Sequence, residues 1–289
     1  MTNEQLPTTN DQRPTTAPPT LGADLRHRAL PTARYLMSTD AHTFAFSVAA
    51  NAVLSLFPFV VLLLTLARNF FHSPAMEQVI VDMLREYLPA SQNFVIRNIN
   101  ALVSARKGVQ VASLIMLLIT STGVFLPLEV ALNRIWGFPH NRSYFLNQIV
   151  ALGLAFAGGV LALLSVALAA GNQHLLEIVM FGYKGLPFQI LAFIVMKTCA
   201  IAASIAIFFL IYWLLPNGKV SARAVAPAAV ATGLLWEVAK YAYILALPRL
   251  NFQEIYGPFS ISVTLMFWAF LSGLLLLGGA HLSAAKSGS

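Results

Sequence analysis

The sequence predicts an all-α integral membrane protein, built as a bundle of six transmembrane helices. The first observation behind this prediction is the composition, since 58% of the 289 residues are hydrophobic and only 10% are charged. Soluble globular chains carry about 45–50% apolar and about 25% charged residues. With 18 basic and 11 acidic side chains, this chain has too few charges to cover a soluble surface of its size. The composition excludes an ordinary cytosolic enzyme, and the single cysteine, Cys199, excludes a disulfide scaffold.

The second observation is a series of long apolar stretches. A transmembrane helix needs about 20 mostly apolar residues, each rising about 1.5 Å, to cross about 30 Å of hydrocarbon. Because no water reaches the backbone there, a spanning segment must satisfy its own hydrogen bonds, which favours helices. Six stretches meet this requirement and define a transmembrane domain over residues 43–285: residues 43–67, 109–132, 146–170, 189–215, 223–247 and 258–285.

The chain begins with a polar segment, residues 1–24, that is rich in Thr, Pro and Asn. This composition predicts a disordered tail, and because it holds no apolar run we expect the first span to act as its own insertion signal. Residues 25–42 follow, with Arg26, Arg28 and Arg34 set among leucines. A basic amphipathic segment of this kind suits a helix lying on anionic headgroups, and an ordinary positively charged flank is the alternative.

The basic residues of the short connections predict the orientation, because Lys and Arg accumulate on the cytoplasmic side of a membrane. With the N-terminus inside, the two short outer loops hold only Lys184 and Arg249. The inner side then holds nine basic residues: Arg13, Arg26, Arg28, Arg34, Arg134, Arg142, Lys219, Arg223 and Lys286. This count predicts that both termini, including the polar tail, are cytoplasmic.

The first outer segment carries a helical pattern of its own. Ser73 and Pro74 form an N-cap followed by proline at the first helical position. Apolar residues then recur at helical spacing as far as Pro89, and again after Ser91. The pattern predicts an outer cap over residues 73–107, made of two short amphipathic helices. Both a lid over a cavity and a static cap fit this arrangement.

Three charged residues fall in the outer halves of the predicted spans, where each costs about 3 kcal/mol unless it faces a partner or a cavity. Lys197 lies about 12 Å from the outer end of the fourth span, and Glu237 and Lys240 lie about 9 Å and 5 Å from the outer boundary of the fifth. One hypothesis is a cationic cavity, open outward, in which both lysines share Glu237. The other is a structural ion pair that joins two helices, with Lys240 reaching towards the interface.

A second polar group is predicted near the inner ends of the spans. Its members are Asn51, Glu129, Asn133 and His281. Glu129 and Asn133 are four residues apart and therefore share one helical face. The group fits a hydrogen-bonded end of the bundle that positions the second loop, and an inner gate or a proton relay is the alternative.

Prolines interrupt two of the predicted spans. Pro58 lies in the first span and Pro127 in the second. Because proline removes a main-chain donor and clashes with the preceding turn, both positions predict helix kinks.

Several short motifs, in order and plausibly spaced over about residues 30–285, carry a family resemblance. They are Ser55–Pro58, Asn133–Gly137, Tyr212–Asn217, Tyr256–Gly257, Trp268 and Gly278–Ala280. Together they resemble the YihY/BrkB family of bacterial inner-membrane proteins. The resemblance implies a six-helix protein of the inner membrane, and members of that family carry the labels ribonuclease BN, virulence or serum-resistance factor, and exporter. One position departs from the family pattern, because His281 stands where the family usually has Glu.

The residues offer no basis for an enzyme. Metal-dependent hydrolysis of RNA needs a cluster of His, Asp or Glu, and the six histidines of this chain are scattered. The sequence has no G-x-x-x-x-G-K-[ST] loop for nucleotide phosphates, and no spacing suggests a Ser-His-acid triad. We therefore predict no catalytic residue, no metal, no cofactor and no nucleic-acid partner, and we do not expect ribonuclease activity.

Two functions fit these observations. The first is transport or export of an anionic or amphipathic, lipid-like solute, which the lysines and prolines inside the spans favour. The second is a non-transporting membrane scaffold or envelope-integrity factor, favoured because the sequence shows no clear inverted repeat of the kind found in many carriers. Membrane lipids, above all anionic ones, are the expected partners, and the sequence leaves the oligomeric state open.

Overall fold

The computed structural model describes residues 30–87, 107–179 and 186–287, and all regular secondary structure in these ranges is helical. The prediction of an all-α protein is confirmed. A short 3-10 turn, Gly257–Phe259, joins the last two helices. The helices are α1 (residues 30–36), α2 (Thr39–Asn69), α3 (Pro74–Tyr87), α4 (Lys107–Trp136), α5 (Tyr144–Val179), α6 (Leu186–Leu214), α7 (Ala222–Leu250), α8 (Phe252–Tyr256) and α9 (Ser260–Ser287).

Five stretches in the described part of the chain are long and apolar enough to cross a membrane. They are Thr39–Asn69, Phe145–Leu164, Lys197–Leu214, Ala222–Leu250 and Phe252–Ala284. The predicted span 109–132 falls within α4, which is not among these five. The count of six spans therefore stays a prediction. The predicted boundaries agree with the helices to within a few residues, except that α5 continues to Val179, beyond the predicted end at 170.

The six long helices, α2, α4, α5, α6, α7 and α9, pack in a ring that follows chain order. Each packs on the next along the chain, and α9 packs back on α2. One buried cluster joins the start of α2, α5 and α7 to the end of α4, α6 and α9, so neighbours run antiparallel. We call this the basic end, because it carries residues 134–142 and 219–223. The opposite end, which carries α3 and α8, is the cap end.

Helix α3 is one of the two helices predicted for the outer cap. It packs on the end of α2 and on α5, and Met76 and Ile80 are buried there with Val166. Arg68, in the last turn of α2, forms an ion pair with Glu77. These contacts hold α3 against the cap end of the ring. The second predicted helix of the cap, after Ser91, lies outside the described residues.

Local residue types account for the start of α2 and the end of α7, and two of the long helices contain an internal proline. The Ser38 side chain accepts from the main-chain N–H of Ala41 at 3.3 Å and caps the N-terminus of α2. Asn251 ends α7 in the left-handed region with φ 45°, which Asn adopts more readily than most residues. Pro58 and Pro127, the predicted kink positions, lie inside α2 and α4, and both helices continue past them.

The outer surface of the ring is apolar. Large hydrophobic side chains are exposed along several long helices, which a soluble protein avoids and a lipid-facing surface requires. They include Ile119, Phe145, Phe156, Val238, Leu245 and Phe259.

Candidate functional site: a cavity inside the helical ring

The ring leaves a cavity of about 500 Å³ between its helices. Helices α2, α5, α6, α7 and α9 form its walls, and Ile80 of α3 borders it from the cap end. The volume lies within the range of about 300–1,000 Å³ that is common for small-molecule sites. Most of the wall is apolar, and contributing side chains include Leu56, Phe59, Leu161, Val166, Ile207 and Leu265.

A second cavity, of about 350 Å³, adjoins the first. It lies between α2, α4, α5 and α6. Gly158 and Gly159 open space on the α5 side, because neither carries a side chain. The two cavities share five lining residues and therefore form neighbouring apolar spaces within one ring: Ala52, Leu56, Phe59, Ala162 and Ile207.

The first cavity has one charged corner. Lys240 Nζ donates to Glu237 Oε2 at 2.5 Å, and both residues are buried, with 7% and 6% of their surface exposed. Because the two residues are three apart, they lie on one face of α7. Ser204 of α6 donates its hydroxyl to the other carboxylate oxygen, Glu237 Oε1, at 2.9 Å. The pair is thus held by both helices and faces the cavity.

Lys197 lies on α6 near this corner. Its ammonium donates to the hydroxyl of Tyr241 and lies 5.0 Å from the centre of the Tyr241 ring. Lys240 Nζ lies 5.2 Å from the centre of the same ring. The structure therefore brings together all three charged residues that the sequence singled out, with both lysines close to the ring of Tyr241.

Sequence reasoning missed Ser204 and Tyr241. A signal for each was present, because Ser204 follows Lys197 by seven residues, two turns along the same face of α6, and Tyr241 is adjacent to Lys240. Neither residue is charged, so neither stands out in a search for ionisable groups inside the spans.

Aromatic side chains form the wall behind the ion pair. Trp236 donates its indole N–H to Ser272 Oγ at 2.9 Å and packs against Trp268, with ring centres 5.6 Å apart. Trp268 in turn stacks on Tyr243 at 5.1 Å. Lys240 Nζ lies 5.3 Å from the centre of the Trp236 ring, a cation–π distance. Hydrogen bonding and stacking hold this wall in place.

The predicted inner polar group contributes two residues to a network at the basic end. Asn133 donates to Asn141 Oδ1 at 2.9 Å and accepts from the main-chain N–H of Asn217 at 2.7 Å. The Asn217 side chain donates to the main-chain carbonyl of His140 at 2.8 Å. These bonds join the connection between α4 and α5 to the connection between α6 and α7.

Arg142 completes this network. Its guanidinium donates to the main-chain carbonyls of Leu214, Leu215 and Pro216 at 3.2, 2.8 and 2.8 Å. The end of a helix leaves such carbonyls without partners and carries a partial negative charge, and a guanidinium satisfies both. The main-chain N–H of Arg142 also donates to Glu129 Oε1 at 3.2 Å.

Glu129 is buried to 1% exposure within this network. Its second oxygen, Oε2, and both polar side-chain atoms of Asn147 are buried and have no hydrogen-bond partner among the described residues. Asn147 is a further polar residue that sequence reasoning missed, although its place at the start of an apolar span was a signal.

Asn51 and His281 make their contacts in other parts of the fold. The amide of Asn51 lies against Gly123 of α4, midway along the two helices. His281 Nδ1 lies 2.9 Å from Thr32 Oγ1, and its ring stacks on Tyr35 with centres 4.9 Å apart. His281 thus holds α1 against the end of α9.

The structure and the comparisons together define the class of this molecule. Apolar helices of membrane length, an apolar outer surface and similarity to membrane proteins make it a helical membrane protein. The chain belongs to the family described as Virulence factor BrkB, whose family profile matches residues 32–288. The resemblance found in the sequence motifs is confirmed.

Curated relatives agree with this assignment. A UPF0761 membrane protein of Pseudoalteromonas translucida is 28% identical over 165 residues, covering 55% of this chain and 52% of the relative. A UPF0761 membrane protein of Acinetobacter baylyi is 24% identical, and the match covers 73% of this chain and 50% of the relative. The Bacillus subtilis protein YfkH, whose name describes it as ribonuclease-like, is 24% identical. The match covers 80% of this chain and 85% of YfkH.

The chain spans about half the length of the first two of these relatives. No solved structure matches the chain. Within residues 30–87, 107–179 and 186–287, no three His, Cys, Asp or Glu side chains gather to hold a metal ion.

Proposed function

We propose that this chain is a transporter of an amphipathic anion, such as an anionic lipid, in the bacterial inner membrane. The observation that carries the proposal is the cavity of about 500 Å³ inside the ring, apolar except for a corner that holds Glu237, Lys240 and Ser204. A purely structural bundle gains nothing from such a space, because an empty apolar volume costs stability.

The shape and chemistry of the cavity favour an amphipathic solute over a small hydrophilic one. Two adjoining apolar spaces suit hydrocarbon, while the buried corner offers a lysine, and lysine is a compact charge that binds phosphate groups. Lys197, which contacts Tyr241, adds a second positive charge. The sum of Lys197, Lys240 and Glu237 is then one positive charge, which favours an anion.

The orientation is part of the proposal. We infer that the basic end and both termini face the cytoplasm, because positively charged loops stay on that side. The cap end with α3 then faces outward. Ile80 borders the cavity from this side, which makes α3 the outer cover of the transport site.

The experiment compares lipid movement in vesicles that contain the purified full chain. Phosphatidylcholine vesicles carry a trace of phosphatidylglycerol with a fluorescent acyl chain, and dithionite quenches only the outer leaflet. We expect the chain to accelerate the exchange of the labelled lipid between leaflets. Ala203 lines the cavity, so Ala203→Trp should abolish this acceleration, whereas Ala202→Trp, at an exposed neighbour, should leave it.

The alternative function, a membrane scaffold, has an observation of its own in the network around Arg142, which joins three segments at the basic end. A scaffold predicts no protein-dependent lipid movement and equal behaviour of the two tryptophan variants. Ribonuclease activity is not part of the proposal, since the relative named for it is 24% identical to this chain.

A further inference from the structure

Lys197 and Tyr241 lie on the outer surface of the ring, along the line where α6 and α7 pack together. One face of each helix carries exposed side chains at spacings of three and four residues, as a lipid-facing surface requires. These faces comprise Ile190, Ile194 and Lys197 on α6, and Leu234, Val238, Tyr241 and Leu245 on α7. Tyr241 is 38% exposed and Lys197 is partly exposed. A cation and a phenol therefore border the hydrocarbon of the membrane.

The ammonium of Lys197 is directed toward the headgroups at the cap end. Its Cα lies about 12 Å below the hydrocarbon boundary, and that of Tyr241 lies about 3 Å below it. Helical side chains lean toward the N-terminus of their own helix, which is the cap end for α6 and the basic end for α7. The two side chains thus lean toward each other. They meet near the level at which lysines and tyrosines of membrane proteins contact headgroups.

The two groups are adjacent hydrogen-bond donors. Lys197 donates to the Tyr241 hydroxyl, and its Nζ lies 5.0 Å from the centre of the ring. An ammonium carries three hydrogens, and a hydroxyl that accepts still carries its own, so both groups can donate to one acceptor placed beside them. The oxygens of a lipid phosphate are such acceptors, and lysine is a compact charge that binds phosphate.

The charges around Tyr241 favour a monoanion. Lys240 Nζ lies 5.2 Å from the centre of the same ring, and its partner Glu237 also accepts from Ser204. With Lys197 included, the three charges sum to one positive charge. A headgroup with one negative charge neutralises it, whereas a zwitterionic headgroup leaves the excess charge at the edge of the hydrocarbon, where it is costly.

We propose that Lys197 and Tyr241 form a surface site for the phosphodiester headgroup of a monoanionic lipid, in the leaflet at the cap end. Both groups donate to the phosphate, and the acyl chains lie along the exposed side chains of Ile194, Leu234 and Val238. The site goes beyond the proposed function, because Lys197 and Tyr241 are not among the residues that line the two cavities. It binds lipid whether or not the chain transports it.

The test measures which lipid lies beside Val238, an exposed residue three positions before Tyr241. With Cys199 replaced by Ala, Val238→Cys carries a bimane fluorophore, and the purified full chain is placed in phosphatidylcholine vesicles. A trace of phosphatidylglycerol or phosphatidylcholine with a nitroxide near the top of one acyl chain quenches the fluorophore on contact. We expect phosphatidylglycerol to quench about fivefold more strongly at equal mole fraction, because one lysine near the surface attracts an anionic lipid by about that factor.

Val160→Cys is the matched control, since Val160 is an exposed valine at similar depth on α5. Both lipids should quench a fluorophore there equally. Lys197→Met should remove the preference at Val238, and Lys197→Arg, which keeps the charge, should retain it. Tyr241→Phe should reduce it, because one of the two donors is lost. Ala203→Trp, which fills the cavity, should leave the preference unchanged, because the lipid lies on the outer surface.

Each outcome supports or overturns the site. Equal quenching by both lipids at Val238, an equal preference at Val160, or a preference that survives Lys197→Met would overturn it. A preference lost in Ala203→Trp would put the lipid in the cavity and also overturn the surface site. The comparison of Val238 with Val160 needs no change at Lys197, so it decides the matter even if Lys197→Met does not fold. Accelerated lipid exchange without this preference would leave the transport proposal standing, and the preference without exchange would remove transport alone.

Discussion

The main-chain N–H of Asn217 donates a 2.7 Å hydrogen bond to the side chain of Asn133, across 84 residues of sequence. Asn133 begins one of the family motifs and Asn217 ends another, so two motifs that are remote in sequence meet at the basic end of the ring. Asn133 is 1% exposed, and a buried amide without partners would be costly. The contact therefore gives both asparagines a structural role, because it ties the end of α4 to the connection between α6 and α7.

The first prediction concerns Arg142 at the same end of the ring. Arg142→Ala leaves the carbonyls of Leu214, Leu215 and Pro216 without their donor, and we expect it to lower the free energy of unfolding by about 3 kcal/mol. Arg134→Ala removes only an exposed ion pair with Asp40 and should cost about 0.5 kcal/mol. Denaturant unfolding in detergent measures both, and similar losses would argue against the role of Arg142.

The second prediction concerns coupling within the cavity. Glu237→Gln or Lys240→Met alone leaves one buried charge without its partner, which should cost about 3 kcal/mol of stability. The double variant removes both charges, so it should be less destabilised than the sum of the single variants. A double-mutant cycle by unfolding in detergent measures this coupling, and strictly additive effects would contradict an interacting pair.

The third prediction concerns close packing between α7 and α9. A side-chain carbon at Gly279 would overlap Thr232 Oγ1 and lie 2.5 Å from Tyr212 Oη, and all three positions are buried. Gly279→Ala should therefore destabilise the chain by about 2 kcal/mol. Gly153→Ala, in α5, meets nothing within 4 Å and should be neutral or stabilising, as expected for Ala inside a helix. Melting temperatures in detergent compare the pair, and equal shifts would contradict the packing argument.

The fourth prediction concerns pH and the docking of α1. Burial, with a smaller contribution from Asp40, raises the pKa of the Tyr35 hydroxyl from 10 to about 12. The neutral form is thus favoured in the fold, so this stabilisation is complete below pH 10 and is lost as pH rises through 12. Tyrosinate absorbance should show one late-titrating group fewer in Tyr35→Phe than in the unaltered chain, and stability should depend less on pH between these values. An unchanged titration in Tyr35→Phe would contradict the assignment.

The fifth prediction concerns orientation. With Cys199 replaced by Ala, a cysteine at Gln78 on α3 should react with an impermeant maleimide added outside intact cells, and one at Lys219 should not. Both side chains are exposed, so accessibility alone does not separate them. Labelling of Lys219→Cys with protection of Gln78→Cys would reverse the proposed topology.

The helical class, the positions of the apolar stretches and the family all follow from the amino-acid sequence alone. The composition and length of an apolar run indicate whether the helix lies in water or in lipid. This requirement does not depend on which other helices pack against it. The same holds for Ser73 and Pro74, whose capping pattern correctly predicted a helix that begins at Pro74. Counting residues also predicted that Lys197, Glu237 and Lys240 lie in the same half of their spans.

Which side chains meet depends on the packing of the helices against one another. Residue counting gives the height of a side chain along a helix, whereas contact also depends on the rotation and neighbours of that helix. The arrangement of the helices therefore puts Ser204 on Glu237 and Tyr241 beside both lysines. It also separates His281, which contacts α1, from Glu129, which contacts Arg142. The central cavity has the same origin, because it exists only where several helices close into a ring.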